Sequence, residues 1–215
     1  MRLKPSHLLL LMAATLGLTF WLTRPAPAPA GTAGSRPATA CPLPDAAARS
    51  LAHPPLQTAA PSGLILPHAD GRITALAGFS LQARVLGSKA YHRGAEARYS
   101  PLDLALGWGP MSHDAVLGQL AISQSGRWYH YRWQGQPPLP PAQIRDHSAN
   151  MHMIPGSPQI AAALAQIKPD QTIRLHGWLV SVSDDNQWQW RSSLSRSDSG
   201  AGACEVVYVC GLEVL

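Results

Sequence analysis

Prolines crowd one part of this chain and so limit where a folded domain can form. Half of the 20 prolines lie between Pro25 and Pro67, in a stretch rich in Ala, Gly, Ser and Thr with few large apolar residues. Such a segment cannot bury enough apolar surface to offset the entropy lost when its backbone is ordered. We therefore predict a disordered Pro/Ala-rich tether over residues 24–72 and a single globular domain over residues 73–215.

An apolar run near the N-terminus predicts export across a membrane. Arg2 and Lys4 precede the uncharged run from Leu8 to Leu22, and Arg24 follows it. A positively charged start and an apolar core are typical of a signal peptide or of a membrane helix whose N-terminus is cytoplasmic. We assign residues 1–23 to this segment and expect the globular domain to lie outside the cytoplasm.

The length of the apolar run leaves two fates open for this segment. A spanning helix needs about 20 apolar residues and a signal-peptide core about 7 to 15, and this run lies between the two. We favour a retained single-pass anchor in the inner (cytoplasmic) membrane, so that the membrane is a partner of the N-terminal helix. The alternative is cleavage near Ala28–Ala30, which would release a periplasmic or secreted protein.

The excess positive charge belongs mostly to the export segment. The formal net charge is +5, but Arg2, Lys4 and Arg24 supply three of the 17 basic residues. The remaining Lys and Arg residues form no stripe that would follow a nucleic-acid backbone. We predict no nucleic-acid partner, and an envelope protein or a glycan is the candidate partner of the domain.

Three cysteines in an exported chain allow one internal disulfide. Cys204 and Cys210 are separated by EVVYV, which has the composition of a strand. Six steps along a strand span about 20 Å, whereas a disulfide needs Cα atoms about 4.4 to 6.8 Å apart. We therefore expect no bond between these two cysteines. Pairing of Cys41 with either one stays open, as does a pair of reduced C-terminal thiols packed as small apolar residues.

Apolar alternation predicts a β-rich domain. Residues 79–85 alternate apolar and polar side chains, residues 127–133 (RWYHYRW) are aromatic enough for a strand with both faces covered, and residues 206–209 resemble a central strand. Ser157 is placed as the N-cap of a helix, and Ser112 is placed to cap a second, shorter one. The pattern favours an α+β, β-dominated fold, either a curved sheet or a partly open small barrel, with two short helices.

A change of apolar parity marks one strand near the C-terminus. In TIRLHGWLVSV the apolar positions run through Ile173 and Leu175 and then switch to Trp178 and Val180. A bulge at Gly177 with a positive φ would supply the extra residue and bend the strand. We therefore predict a glycine bulge at this position.

Three segments resemble a set of uncharacterised bacterial envelope proteins that are exported or membrane-anchored. They are SPLDLALGWGPMS at residues 100–112, HSANMHMIPG at residues 147–156 and SSLSRSDSGAGACE at residues 192–205. The resemblance covers most of the predicted domain. It implies an exported, anchored protein, and it transfers no activity because none is established for that set.

The densest cluster of catalytic side-chain types contains Asp146, His147, Asn150 and His152. Two histidines five residues apart lie on different faces of a helix and on opposite faces of a strand. Only an irregular loop would bring both to one substrate or one metal ion. A purely structural loop, whose Asn and Ser side chains bond to the backbone, is the alternative interpretation of the same residues.

Cys204 follows a glycine-rich run and is the candidate nucleophile. A thiol needs a base to become reactive, and His147 with Asn150 would complete a Cys-His-Asn set if the fold brought them together. The alternative is a buried or disulfide-bonded cysteine. The chain has no zinc-binding helix motif, no C-x-x-C pair and no phosphate-binding loop motif, and we predict no cofactor and no dedicated metal ligands.

The domain is rich in tryptophan and tyrosine, which either fill the core or line a groove for a sugar or a peptide. The candidate binding residues among them are Trp108, Trp128, Tyr131 and Trp178.

Two functions from different classes are compatible with the sequence. The favoured one is a non-catalytic, membrane-tethered domain that binds an envelope protein or a glycan. The alternative is a hydrolase that uses the His147–His152 loop with Cys204 or a bound metal. Convergence of His147, Asn150, His152 and Cys204 on one pocket would favour the enzyme, and their dispersal would favour the binding domain.

Overall fold

The domain is built mainly from strands, in a computed structural model that describes residues 41–42, 50–195 and 203–215. The predicted class, β-dominated α+β with a curved sheet, is confirmed. The strands are β1 (Leu56–Ala59), β2 (Ile65–Leu66), β3 (Arg72–Ala90), β4 (Leu102–Gly107), β5 (Ala121–Ser125), β6 (Trp128–Arg132), β7 (Ser148–Pro155), β8 (Thr172–Ser183), β9 (Gln189–Arg191) and β10 (Glu205–Val214). The described helices are α1 (Asp114–Leu117), α2 (Pro141–Asp146) and α3 (Pro158–Leu164), with 3-10 turns at Glu96–Arg98 and Gly109–Ser112.

Eight of these strands form one curved sheet. Its order is β1-β3-β4-β7-β10-β8-β9, and β2 pairs with β3. The long strand β3 also pairs with β8 over most of its length. The five strands β3, β4, β7, β10 and β8 are therefore paired in a closed ring. All neighbours in this ring are antiparallel except β7 and β10, and α3 lies in the connection between β7 and β8. This strand order is the topology of the OB-fold.

Two apolar clusters lie on opposite faces of the curved sheet. The first contains residues of all five ring strands and Leu164 of α3, so it is the core that the sheet encloses. The second packs the outer face against Leu66 of β2 and against Trp188 and Trp190 of the β8–β9 hairpin. The enclosed core includes Phe79, Leu81, Leu104, Leu106, Trp108, Met151, Met153, Leu175, Leu179, Val207 and Val209, and the outer cluster includes Leu66, Ile73, Tyr99, Ile154, Trp178, Val180, Val206 and Tyr208.

The change of apolar parity in β8 arises because this strand serves both clusters. Ile173 and Leu175 face the enclosed core, whereas Trp178 and Val180 face the outer cluster. The neighbouring strand β3 also contributes side chains to both clusters. It changes from one face to the other at a bulge, because its pairing with β8 shifts between Ala75 and Ala77. The β8 strand therefore needs no extra residue of its own.

The predicted glycine bulge is wrong in position and in backbone conformation. Gly177 is not among the glycines with a positive φ, and the bulge lies opposite it on β10, where the pairing shifts between Val209 and Gly211. A Cβ atom on Gly177 would overlap the carbonyl oxygen of Tyr208. Glycine is required at this position because the β10 backbone approaches it closely.

The folded domain begins earlier in the chain than the predicted boundary at residue 73. Strands β1 and β2 lie within the range 24–72 and pair with β3. Tyr208 also donates a hydrogen bond of 2.8 Å to the carbonyl oxygen of Pro67. These short strands carry few large apolar residues of their own, and they are ordered because β3 offers them an open sheet edge.

The export segment and about half of the predicted tether, residues 1–40 and 43–49, lie outside the described residues. Among the helices of the described segments, none has both the length and the apolar composition that a membrane span requires.

A disulfide links the tether to the end of the sheet. Cys41 bonds to Cys210, the bulge residue of β10, with 5.4 Å between their Cα atoms. The neighbouring Pro42 carbonyl accepts a hydrogen bond of 2.6 Å from the indole nitrogen of Trp178. Of the pairings left open by the sequence, this is the one formed, and Cys204 lies outside it.

Strands β5 and β6 form a separate two-stranded hairpin beside the sheet. The strand predicted at RWYHYRW is confirmed, but only one of its faces is covered, since exposed and half-buried residues alternate along β6. The covered face is anchored where Tyr129 hydrogen-bonds to Ser148 of β7. Burial raises the pKa of the Tyr129 phenol well above its ordinary value.

The helix predicted after Ser157 is confirmed as α3. Its first turn begins at Pro158, and the Ser157 hydroxyl accepts a hydrogen bond of 3.2 Å from the backbone nitrogen of Ile160. This N-cap and the proline fix the start of the helix that covers one end of the enclosed core.

Candidate functional site

A buried aspartate and a buried histidine form a pair across adjacent strands. Asp103 of β4 and His152 of β7 are register partners, and their side chains meet on the outer face of the sheet. His152 Nδ1 lies 2.9 Å from Asp103 Oδ1, with side-chain exposures of 5% and 0%. The carboxylate oxygen accepts, so Nδ1 is the donor of this hydrogen bond, and in the neutral form of the imidazole the lone pair is on Nε2.

Two further side chains complete the surroundings of the Asp103 carboxylate. Arg127 Nη1 donates to Oδ1 at 2.7 Å, and Asn150 Nδ2 donates to Oδ2 at 3.2 Å. An isolated buried carboxylate would be strongly disfavoured, and the guanidinium supplies the opposite charge it needs. Each oxygen of Asp103 therefore has at least one donor.

Arg127 reaches the site from the tip of the β5–β6 hairpin. Gly126 and Arg127 both have a positive φ, the pattern of a type I′ turn. That conformation is unfavourable for arginine and persists where surrounding contacts hold it. Here the backbone nitrogen of Arg127 donates to Tyr91 Oη at 3.0 Å, and its guanidinium lies over the Tyr91 ring at 4.1 Å.

Asn150 joins the hairpin to the sheet. Its Nδ2 also donates to the carbonyl oxygen of Arg127 at 3.0 Å, and its Oδ1 accepts from Gln124 Nε2 at 2.8 Å. A Cβ atom on Gly87 would lie 2.6 Å from Gln124 Oε1, so the glycine leaves room for this amide. The network therefore fixes the hairpin tip over the Asp103–His152 pair.

A small pocket of about 220 Å³ opens beside this network. His152 and Cys204 both line it, together with Trp190, whose ring centroid lies 4.8 Å from that of His152. His152 Nε2 has no hydrogen-bond partner among the described residues. Val206 is the register partner of His152 across the parallel pair of β10 and β7, and Cys204 lies just before the start of β10. The remaining lining residues are Glu96, Arg127, Trp128 and Arg191.

An ion pair ties two of the segments that carry the pocket. Arg98 Nη2 donates to Asp184 Oδ2 at 2.9 Å, and the backbone nitrogens of Asn186 and Trp188 donate to Asp184 Oδ1. The hydrogen bond from Arg98 holds the pKa of Asp184 below its ordinary value. This contact joins the turn that carries Glu96 to the β8–β9 hairpin that carries Trp190.

Of the candidate catalytic residues, Asn150 and His152 both bond to Asp103, and His152 lines one pocket with Cys204, whereas Asp146 forms an exposed pair with Arg145. The segment predicted as an irregular loop is instead strand β7, which begins at Ser148. Its period of two places Asn150 and His152 on the same face, where both side chains bond to Asp103. His147 lies outside the network, since its Nδ1 is 2.8 Å from the Gln143 carbonyl oxygen at the end of α2.

The four candidate binding aromatics fall into different environments. Trp108 is buried in the enclosed core and Trp178 in the outer cluster. Trp128 is 39% exposed and lines the pocket with Cys204. Tyr131 stacks on Trp133 along the hairpin, with 6.1 Å between ring centroids.

Sequence reasoning missed Asp103 and Arg127, which complete the site. Asp103 is the one charged residue in the apolar strand LDLALG, and a lone acid in such a strand indicates a buried, paired carboxylate. Arg127 follows Gly126 in a two-residue hairpin turn, but its partner is 24 residues away and has no local sequence signal.

In the described segments, no group of three or more His, Cys, Asp and Glu side chains is arranged to hold a metal ion. Comparison of the chain with protein-family models, with curated proteins and with solved structures finds no match.

Proposed function

We propose that this domain is a thiol hydrolase that cleaves an ester, thioester or amide through Cys204 and His152. The observation that carries the proposal is the buried Asp103–His152 pair, whose histidine lines one pocket together with Cys204. A base held in one tautomer by a carboxylate, next to a nucleophile, is the arrangement of catalytic triads.

In the proposed reaction, His152 Nε2 takes the thiol proton of Cys204 as the sulfur attacks the carbonyl carbon. The carbonyl electron pair moves to oxygen, and the tetrahedral intermediate collapses to a thioester while the leaving group takes the proton back from Nε2. Water then attacks the thioester and gives its proton to Nε2, which returns it to the sulfur as the acid leaves. Asp103 touches no reacting atom and acts as a positioning residue for the imidazole.

The location of the pocket in the fold supports a ligand site. In OB-folds, ligands bind on the face of the second and third strands, between the loop joining strands one and two and the loop joining strands four and five. Strands β4 and β7 hold those places here and carry Asp103 and His152, and the two loops carry Glu96 and Cys204. The fold supports the location of a ligand site, and the proposed chemistry depends on the side chains themselves.

The proposal is tested by alkylation of Cys204 in the full-length protein with iodoacetamide, followed across pH by mass spectrometry. If His152 takes the thiol proton, His152→Gln should lower the second-order rate at pH 7 at least tenfold, because less thiolate forms. His147→Gln is the matched control, since it removes the same side chain outside the network, and its rate should stay within about twofold of wild type.

A second measurement separates reactivity from turnover. Incubation with p-nitrophenyl acetate should leave an acetyl group on Cys204 that turns over as nitrophenolate release continues, and Cys204→Ala, which removes the nucleophile, should abolish this turnover. Equal alkylation rates in wild type and His152→Gln, or nitrophenolate release that is unchanged in Cys204→Ala, would refute the assignment.

A further inference from the structure

An open cleft of about 690 Å³ lies at the base of the β5–β6 hairpin. It lies at the opposite end of β6 from Trp128 and the thiol pocket, about 17 Å away at 3.4 Å per residue. Trp133, Arg132 and Gln134 line it from one side, and Gln119 and Leu120 line it from the other. Volumes of 300–1,000 Å³ are typical of ligand sites.

We propose that this cleft binds a neutral saccharide, with Trp133 as the stacking platform. Trp133 is the last ring of an aromatic row in which Tyr131 lies 5.5 Å from Tyr129 and 6.1 Å from Trp133 between ring centroids. Tyr129 is itself fixed to Ser148 on the sheet. The indole plane is therefore held in place before a ligand arrives, which lowers the entropy cost of binding.

The polar groups around the platform suit hydroxyl groups. Within the described segments, the side chains of Arg132, Trp133 and Gln134 have no hydrogen-bond partner. Gln119 donates its Nε2 to the Ala115 carbonyl oxygen at 2.8 Å, which leaves its Oε1 as an acceptor. The cleft thus presents guanidinium, indole and amide donors together with amide acceptors, the mixture that a sugar's hydroxyls and ring oxygen require.

The charges of the lining residues favour a neutral ligand over a metal ion, a peptide or a nucleic acid. No acidic side chain is among the lining residues, which disfavours a metal ion or a cationic peptide. Arg132 is the single lining cation, and nucleic acid or a polyanion is bound by clusters of basic residues along its backbone. A flat aromatic face with neutral hydrogen-bonding groups fits an uncharged sugar ring best.

The test is isothermal titration of the full-length protein with maltotetraose, cellotetraose and chitotetraose. At least one should bind with a Kd below about 1 mM, and Trp133→Ala should weaken that binding at least tenfold. Gln134→Ala should weaken it by a smaller factor. Trp128→Ala, which removes an indole from the other end of the same strand, is the matched control and should leave saccharide affinity unchanged.

Near-UV circular dichroism confirms that each variant keeps its fold, and Trp133→Phe, which retains a smaller ring, should keep part of the affinity. Absence of binding to all three tetrasaccharides overturns the proposal. So does unchanged affinity in Trp133→Ala. Binding confined to dextran sulfate and lost in about 0.5 M NaCl would instead identify an anion site at Arg132 and would equally overturn it.

Discussion

Asp103 and His152 are direct cross-strand partners on β4 and β7, and their side chains are 2.9 Å apart from Oδ1 to Nδ1. Arg127 bonds to the same Oδ1 from the hairpin tip. One buried carboxylate therefore orients the histidine and anchors the hairpin that overlies it.

Replacing Asp103 by Asn should destabilise the protein strongly. The change keeps the side-chain shape but leaves the largely buried Arg127 guanidinium without its counter-charge, which typically costs about 3–5 kcal/mol. Urea denaturation at pH 7 measures the loss. Asp114→Asn is the control, because Asp114 pairs with Arg84 on the surface with its side chain 83% exposed, and we expect a change below about 0.5 kcal/mol. A loss of unfolding free energy below about 1 kcal/mol for Asp103→Asn would show that the buried carboxylate contributes little to stability.

Gly177 and Gly63 should respond oppositely to asparagine. At Gly177 the β10 backbone fills the space that a Cβ atom would occupy, so Gly177→Asn should cost about 3 kcal/mol by overpacking and by burying an amide. Gly63 has a φ of +69° with open space around it, and asparagine tolerates that conformation. Gly63→Asn should therefore change the free energy of unfolding by less than about 1 kcal/mol. A loss at Gly177 no larger than that at Gly63 would show that the close approach of β10 does not require glycine at Gly177.

Reduction of the Cys41–Cys210 disulfide should lower the free energy of unfolding by about 2–5 kcal/mol. The bond closes a loop with a sequence separation of 169 residues and so limits the freedom of the unfolded chain. Guanidinium unfolding with and without dithiothreitol measures the difference. The Cys204→Ser variant should show the same difference, since that cysteine lies outside the bond. Identical midpoints in the two conditions would mean that the linked segment adds nothing to stability.

The Arg98–Asp184 pair should make stability depend on pH in the acid range. The pKa of Asp184 is lowered in the folded protein, so its contribution is present above its unfolded pKa of about 4 and is lost as the pH falls through the folded value. Asp184→Asn should therefore lower the thermal midpoint at pH 7, and the gap to wild type should shrink as the pH falls below 4. Asp146→Asn, at an exposed pair with Arg145, is the control. A gap that is constant between pH 7 and pH 2 would contradict the ion pair.

Local patterns in the sequence were sufficient for the individual elements. Alternation predicted the strand at Phe79–Val85, the Ser157–Pro158 pair predicted the start of α3, and EVVYV predicted the strand that keeps Cys204 from Cys210. These features depend on neighbours a few residues apart, and their physical causes, capping and side-chain parity, act over that range.

The sequence did not determine which apolar face meets which core. The switch of parity in β8 predicted a bulge at Gly177, whereas the strand serves two cores and the bulges lie on its partners β3 and β10. Parity within a strand cannot distinguish these cases, because the answer depends on strands that are distant in the chain.

Only the tertiary structure assembled the candidate site. Asp103 and His152 are 49 residues apart in sequence. Arg127 comes from the β5–β6 hairpin, and Cys204 comes from the loop before β10. The sequence by itself supplied the residue types and their spacing along the chain. The folded sheet decided that Asn150 and His152 share a face while His147 does not, because a strand with a period of two replaced the expected loop.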